Sequence, residues 1–199
     1  LLTGFFTGAG FTFQAFQALA RVGMESLVGS SVLLAVTREL GPVLTSLMVT
    51  GRVGSAYATE LGTMRVSEQI DAMEVMAVDP VHYLVVPRIL AAVGMVPLLT
   101  ILFDSVAFVG SYAVAVGFLD IDEGAFWARI QWYVDPQDLI HGASKAAMFG
   151  LVLSLIGCFK GFYAGQGARG VGLATTQAVV LSSITIFILD YVLTSLLVA

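Results

Sequence analysis

Of the 199 residues, 58% are hydrophobic and only 12% charged, with a mean hydropathy of +0.92. A soluble domain carries roughly 25% charged residues, and a chain of this size has too little interior to hide so much apolar surface from water. The bilayer is therefore the solvent for much of it. The net charge of −5 without a basic run argues against nucleic acid as a partner.

The length suits one domain, taken as residues 1–199. A single cysteine, Cys158 in an apolar run, excludes an internal disulfide and reads as a small buried hydrophobe. The chain opens at Leu1 without Met or a basic leader, so a signal peptide is not expected. A missing N-terminal part is.

Residues 1–20 carry no charge and form the first expected span, ended by Arg21. About 20 helical residues cross the hydrocarbon core. Residues 26–51 give a second span, interrupted by Arg38 and Glu39 and ended by Arg52. Residues 89–119 give a third, with Pro97 and Asp104 inside it.

The stretch 120–138 mixes acids with Trp127, Trp132 and Tyr133, a composition suited to a membrane surface. A fourth span, 139–159, contains Lys145 and is closed by Lys160. A glycine-rich turn over 161–172 leads to a fifth span, 174–198, with Asp190 near its end. The expectation is an all-α integral membrane protein of five transmembrane helices. One set of loops holds Arg52, Arg65, Arg88, Lys160 and Arg169, the other only Arg21 and Arg129. The positive-inside rule makes the first set cytoplasmic.

Between spans two and three, Tyr57, Leu61 and Met64 recur at helical spacing. After Gly62 the pattern restarts with Val66, Ile70, Met73 and Met76, while Glu68, Asp71 and Glu74 mark other faces. The spacing predicts a short amphipathic helix over 67–77, methionines on one side and acids on the other. Ser67 is the expected N-cap and Asp79-Pro80 the expected stop. A helix resting on anionic lipid would be rich in Lys and Arg; this one is acidic, which favours a protein partner over the bundle's own end.

The block from RELGP at 38–42 through GRVGSAYATELG at 51–62 to EQIDAMEVMAVDP at 68–80 resembles the signature of the MlaE/YrbE permeases. PLLT at 97–100 and LDYVLTSLL at 189–197 also fit, so the resemblance runs through essentially the whole chain. It implies an ABC transporter permease of a phospholipid transport system in the bacterial inner membrane, built as a homodimer of five-span subunits. Its implied partners are a second copy, a cytoplasmic ABC ATPase gripping a coupling helix between spans two and three, a periplasmic MCE-domain protein and phospholipid. A small STAS-type subunit is also compatible. Family members begin with an interfacial helix before the first span, and this chain lacks it.

Arg38, Glu39, Asp104, Lys145 and Asp190 are too costly to face lipid. They must meet one another, the bundle interior or a wet cavity. From the residues alone, Arg38 and Lys145 suit a lipid phosphate and a structural ion pair equally, whereas Asp104 and Asp190 favour a structural role. The resemblance places Arg38, Glu39, Leu40 and Lys145 on a lipid cavity at the dimer interface, and Gln14 and Phe16 at its wall. Phe13 joins them, because aromatic rings give acyl chains apolar contact; by periodicity alone these phenylalanines simply face lipid or a neighbouring helix. The expected ATPase-coupling residues are Arg65, Glu68, Asp71, Met73 and Glu74. Glycines 4 and 8, and 157, 161 and 165, form stripes that let helices approach closely.

Ser144 and Lys145 in GASK diverge on a helix, and His82 and His141 are the only histidines, so no serine-protease constellation is expected. Metal-ligand clusters and a phosphate-binding P-loop are absent from the sequence. The chain is expected to bind no cofactor and to be no enzyme, with ATP and Mg held by the partner ATPase. The alternative is a proton-coupled secondary transporter or channel using Glu39, Asp104 and Asp190 as a relay.

Overall fold

The computed structural model describes residues 1–198, with side chains through Leu196. Ala199, the last residue of the expected single domain, and the side chain of Leu197, which ends the LDYVLTSLL match, lie outside the described residues. The described residues contain helices and turns but no strand. In order they are α1 (Leu2–Ala20), α2 (Val28–Ala35), α3 (Gly41–Val49), α4 (Ser55–Val66), α5 (Gln69–Val75), α6 (Val86–Ala115), α7 (Glu123–Tyr133), α8 (Pro136–Phe162) and α9 (Gly167–Val198). Wider π-helical turns at Val36–Leu40 and Thr50–Gly54 join α2, α3 and α4 into one run, and a third, Val81–Val85, leads into α6.

Four runs are long and apolar enough to cross a bilayer: Glu25–Val66, Val81–Ala115, Pro136–Phe162 and Gly167–Leu196. The sequence expectation of five counted residues 1–20. Their helix α1 has the length of a crossing, but Gln14, Gln17, three threonines and three glycines dilute its apolarity.

Several expected boundaries move. Arg52 does not end the helix that carries the second expected span. It sits in a π-helical turn of a 42-residue run, twice what one crossing needs. Gly62 does not restart the pattern, because α4 passes straight through it. Lys160 lies inside α8, and the turn after α8 is shorter than the 161–172 expected, since α9 already begins at Gly167.

The contacts divide the chain into two compact units. The first comprises Leu1–Pro42 and Leu98–Ser144. Within it α1 lies tightly on α6: a β-carbon at Gly8 would collide with the Ala107 carbonyl, and one at Gly110 with the Phe5 carbonyl. Buried Thr12 donates to Ser111 Oγ at 2.7 Å, fixing the register. Helix α7 starts where Asp122 accepts from the Ala125 amide at 2.8 Å. It buries Phe126 and Ile130 against Ala115, Leu33 and Tyr112. Of the helix or loop that the composition of residues 120–138 suits, the structure shows the helix, α7.

The second unit comprises Val43–Pro97 and the chain from Lys145 onward. Its core holds Val96, Ala146, Phe149, Leu153 and Ile186. A second cluster joins Leu61, Ile70, Leu84 and Cys158, with Met64 and Met73 packed on it. Gly157 and Gly161 bring α8 onto the Gly54 and Ala58 carbonyls, at 3.0 and 2.8 Å from where β-carbons would stand. Gly165 does not extend that stripe, because α8 ends at Phe162.

Candidate functional site

Pro42 has no N–H to offer the carbonyl of Arg38, and its ring crowds that carbonyl. The chain widens just before it into the π-helical turn Val36–Leu40, which holds RELGP's first three residues. Such turns recur at functional positions. Helix α8 approaches this turn at Gly142, where any β-carbon would strike the Thr37 carbonyl. One helical turn earlier on α8 stands Asp138. Arg38 Nε donates to its Oδ1 at 2.7 Å, and a second guanidinium nitrogen reaches the same oxygen at 2.5 Å. Asp138 is buried while the Arg38 side chain is about half exposed at 48%. Its other oxygen accepts the Asp135 amide at 3.0 Å.

Asp138 was missed as a partner by sequence reasoning, which grouped it with the surface acids. The available signal was an acid in the first turn after Asp135-Pro136, a helix-start pattern.

The other expected cavity residues of this unit divide by face. Phe13 and Gln14 are exposed and Phe16 is half-buried, while Gly8 and Thr12 of the same helix face α6. Glu39 and Leu40 are half-buried in the π-helical turn.

In the second unit Lys145 is 3% exposed and its ammonium is engaged. It donates to Thr194 Oγ1 at 2.7 Å and to Asp190 Oδ1 at 3.3 Å. Thr194 in turn donates to the Asp190 carbonyl at 2.8 Å. Asp190 therefore has the structural partner the sequence favoured for it without naming.

The expected coupling helix is shorter than 67–77. Ser67 is not its N-cap: its hydroxyl donates back to the Thr63 carbonyl at 2.8 Å, finishing α4. Glu68 then adopts a left-handed conformation, φ 59°, and α5 begins at Gln69. Its end comes at Ala77, φ 58°, before Asp79-Pro80. Asp79 starts the next element instead, accepting the Val81 amide at 2.9 Å. His82 Nδ1 lies 2.9 Å from its other oxygen. The His82 contact first, and the Val81 amide second, hold the Asp79 carboxyl below its ordinary value.

The methionines do not share one side. Met73 is half-buried on the Leu61–Ile70 cluster, whereas Met76 is 66% exposed. Arg65 pairs with Asp71 at 2.6 Å across the bend between α4 and α5. Glu68, Asp71 and Glu74 are all exposed. Arg65, Glu68 and Asp71 also line a polar cleft of about 510 Å³ whose other wall is the turn Ala164–Gly167. Among the described residues no group of three His, Cys, Asp or Glu could hold a metal.

The family described as Permease MlaE matches residues 1–196. A Rickettsia felis protein named "Probable ABC transporter permease protein" is 46% identical over 195 residues, covering 98% of this chain and 75% of that protein. A Synechocystis protein also named as a probable ABC transporter permease is 40% identical over 197 residues, 99% of this chain and 75% of that protein. The Haemophilus influenzae "Intermembrane phospholipid transport system permease protein MlaE" is 36% identical over 198 residues, 99% of this chain and 76% of that protein.

Proposed function

The chain belongs to the MlaE permease family, and from that premise we propose that it is the permease subunit of an ABC-type transporter moving phospholipid between the inner and outer membranes. The observation that carries this reading is the family match over residues 1–196. The printed name of the Haemophilus influenzae relative supports phospholipid as the cargo.

In this reading the whole chain is one permease domain of the bacterial inner membrane. Helix α1, 19 residues long, is the fifth span beside the four more apolar runs. Two copies enclose a lipid cavity lined by Phe13, Gln14, Phe16, Arg38, Glu39, Leu40 and Lys145. Arg38 supports that role because Asp138 holds its guanidinium in place while about half of the side chain stays exposed, within reach of a phosphate. Lys145 would have to exchange Asp190 for lipid.

A separate cytoplasmic ATPase chain holds ATP and Mg and presses on α5. The support for coupling there is mechanical. Ile70 is fully buried and Met73 half-buried, so α5 is rooted among α4, α8 and the π-helical turn Val81–Val85 that leads into α6, while its acids and Val75 face outward. A push on such a helix is passed to three spans instead of being absorbed in a loose loop. The periplasmic side meets an MCE-domain protein, and a small STAS-type subunit completes the assembly.

The test is Glu68→Lys with Glu74→Lys, which leaves the Arg65–Asp71 pair intact. Association with the ATPase and ATP-driven lipid transfer should both fall by tenfold or more. Unchanged association and transfer would overturn the coupling role. Transfer that continues without nucleotide and stops when the proton gradient is removed would replace this reading with a proton-coupled transporter.

A further inference from the structure

The first unit contains a pocket of about 560 Å³, within the size range of small-ligand sites. Leu33, Ile101, Phe108 and Leu139 make its walls apolar, and Asp104 and Asp135 are the acidic residues of its lining. Asp104 is 5% exposed, and its Oδ1 has no hydrogen-bond partner among the described residues. That oxygen occupies the place where a β-carbon of residue 41 would stand, so Gly41 of RELGP makes room for the carboxyl.

The hydroxyls in the wall are spent as donors. Thr37 donates to the Leu33 carbonyl at 2.9 Å and Ser105 to the Ile101 carbonyl at 2.7 Å, which leaves their lone pairs as acceptors. Arg38, the next residue after Thr37, is turned to Asp138. The pocket therefore offers acceptors and acidic groups inside an apolar wall. A buried carboxyl oxygen without a donor is unfavourable in such surroundings. A ligand carrying N–H donors and positive charge relieves that cost, while an anionic head is repelled.

We propose that this pocket binds the primary ammonium headgroup of an aminophospholipid, with Asp104 as its acceptor and Phe108 and Leu139 against the adjoining methylenes. The proposal rests on the reading of this chain as a phospholipid permease and narrows its substrate class. It concerns residues distinct from the cavity set at Arg38–Leu40 and Lys145.

The experiment is native mass spectrometry of the full chain, in its complex, taken from nanodiscs of equimolar phosphatidylethanolamine and phosphatidylglycerol without nucleotide. The wild type should retain phosphatidylethanolamine over phosphatidylglycerol by about fivefold or more. Asp104→Asn should bring that ratio near one. Leu139→Trp, which fills the pocket without touching the carboxyl, should do the same. Phosphatidylcholine, whose quaternary head has no N–H, should be retained less than phosphatidylethanolamine by the wild type. A wild-type ratio preserved in folded Asp104→Asn, or in Leu139→Trp should the first variant fail to fold, overturns the proposal. Because bound lipid is read without ATP, a failure of ATP-driven transfer would count against the transporter reading and leave this ratio to be judged by itself.

Discussion

Lys145 and Asp190 face each other across 3.3 Å, and Thr194 ties both into one buried knot between α8 and α9. Removing only one charge leaves the other uncompensated in a low-dielectric interior, a change that costs about 3–5 kcal/mol in buried pairs. Asp190 keeps 19% exposure, so the lower end applies. Lys145→Met should lower thermal stability in detergent by about 3 kcal/mol. The double variant Lys145→Met with Asp190→Leu should recover most of that loss. Equal instability of the single and double variants would mean the knot contributes through packing instead of charge.

Helix α1 should be sensitive to volume at one glycine and indifferent at another two residues away. Gly8 abuts the Ala107 carbonyl, whereas a β-carbon at Gly10 meets nothing within 4 Å. Gly8→Val forces α1 away from α6 and strains the Thr12–Ser111 hydrogen bond. Overpacking of this kind costs about 1–3 kcal/mol. Gly10→Ala should be neutral or slightly stabilising through helix propensity. Melting temperatures of the two variants beside wild type decide it.

The same contrast explains what could be read in advance. Hydropathy made the crossing segments legible because apolar composition is a local property, and Gly4, Gly8, Gly157 and Gly161 announced close contacts through their spacing. The π-helical turns were invisible: nothing in the composition of VTREL or TGRVG marks an extra residue per turn, although Pro42 hinted at a disturbance. The bend at Ser67–Glu68 was misplaced because a serine before an acid also reads as a helix start, and the competing bond from Ser67 to Thr63 depends on α4 already being formed. Partner identities such as Arg38–Asp138, one hundred residues apart in sequence, are set by how helices pack. One sequence does not carry them.

The left-handed residue that ends α5 gives a further expectation. Ala77 sits at φ 58°, a conformation unfavourable by about 1–2 kcal/mol for a residue with a β-carbon. Ala77→Gly removes that cost while adding flexibility to the unfolded chain, for a net gain of up to about 1 kcal/mol. Hydrogen exchange across 69–78 should slow accordingly. Faster exchange there would show that the side chain at 77 contributes contacts that outweigh its backbone strain.

Asp79 supplies a pH dependence at the opposite side of the same bend. Its carboxyl is held below the ordinary range by the His82 contact and the Val81 amide. A depressed carboxyl contributes order that is complete above the unfolded value, near 4, and is lost as pH falls through the lower folded value. The turn at 79–83 should therefore remain closed from neutrality down to about pH 4. Below that, the acceptor of the Val81 amide loses its charge and the bond weakens, so exchange there should rise severalfold in excess of the intrinsic pH trend. Asp79→Asn, which keeps a neutral acceptor, should lower protection at that amide at neutral pH to the level of the acid state and flatten the excess acid response. An identical acid response in wild type and Asp79→Asn would assign it to another carboxyl.

The Arg38–Asp138 pair separates fold from transport most cleanly, because the arginine is half exposed and the aspartate is not. Solvent weakens the pair, so its coupling energy should be about 1 kcal/mol in a double-mutant cycle of Arg38→Gln and Asp138→Asn. Lipid transfer should respond differently. Arg38→Gln removes the cation proposed to meet phosphate and leaves buried Asp138 without it, so transfer should fall by tenfold or more, beyond what a stability loss of about 1–3 kcal/mol explains. Asp138→Asn keeps the cation but loosens its aim, so transfer should fall by a few-fold only. Arg38→Lys, which keeps charge but not the two-pronged geometry, should resemble Asp138→Asn. If Arg38→Gln transfers lipid at the wild-type rate in a folded complex, Arg38 is only the clasp that holds α8 against the π-helical turn.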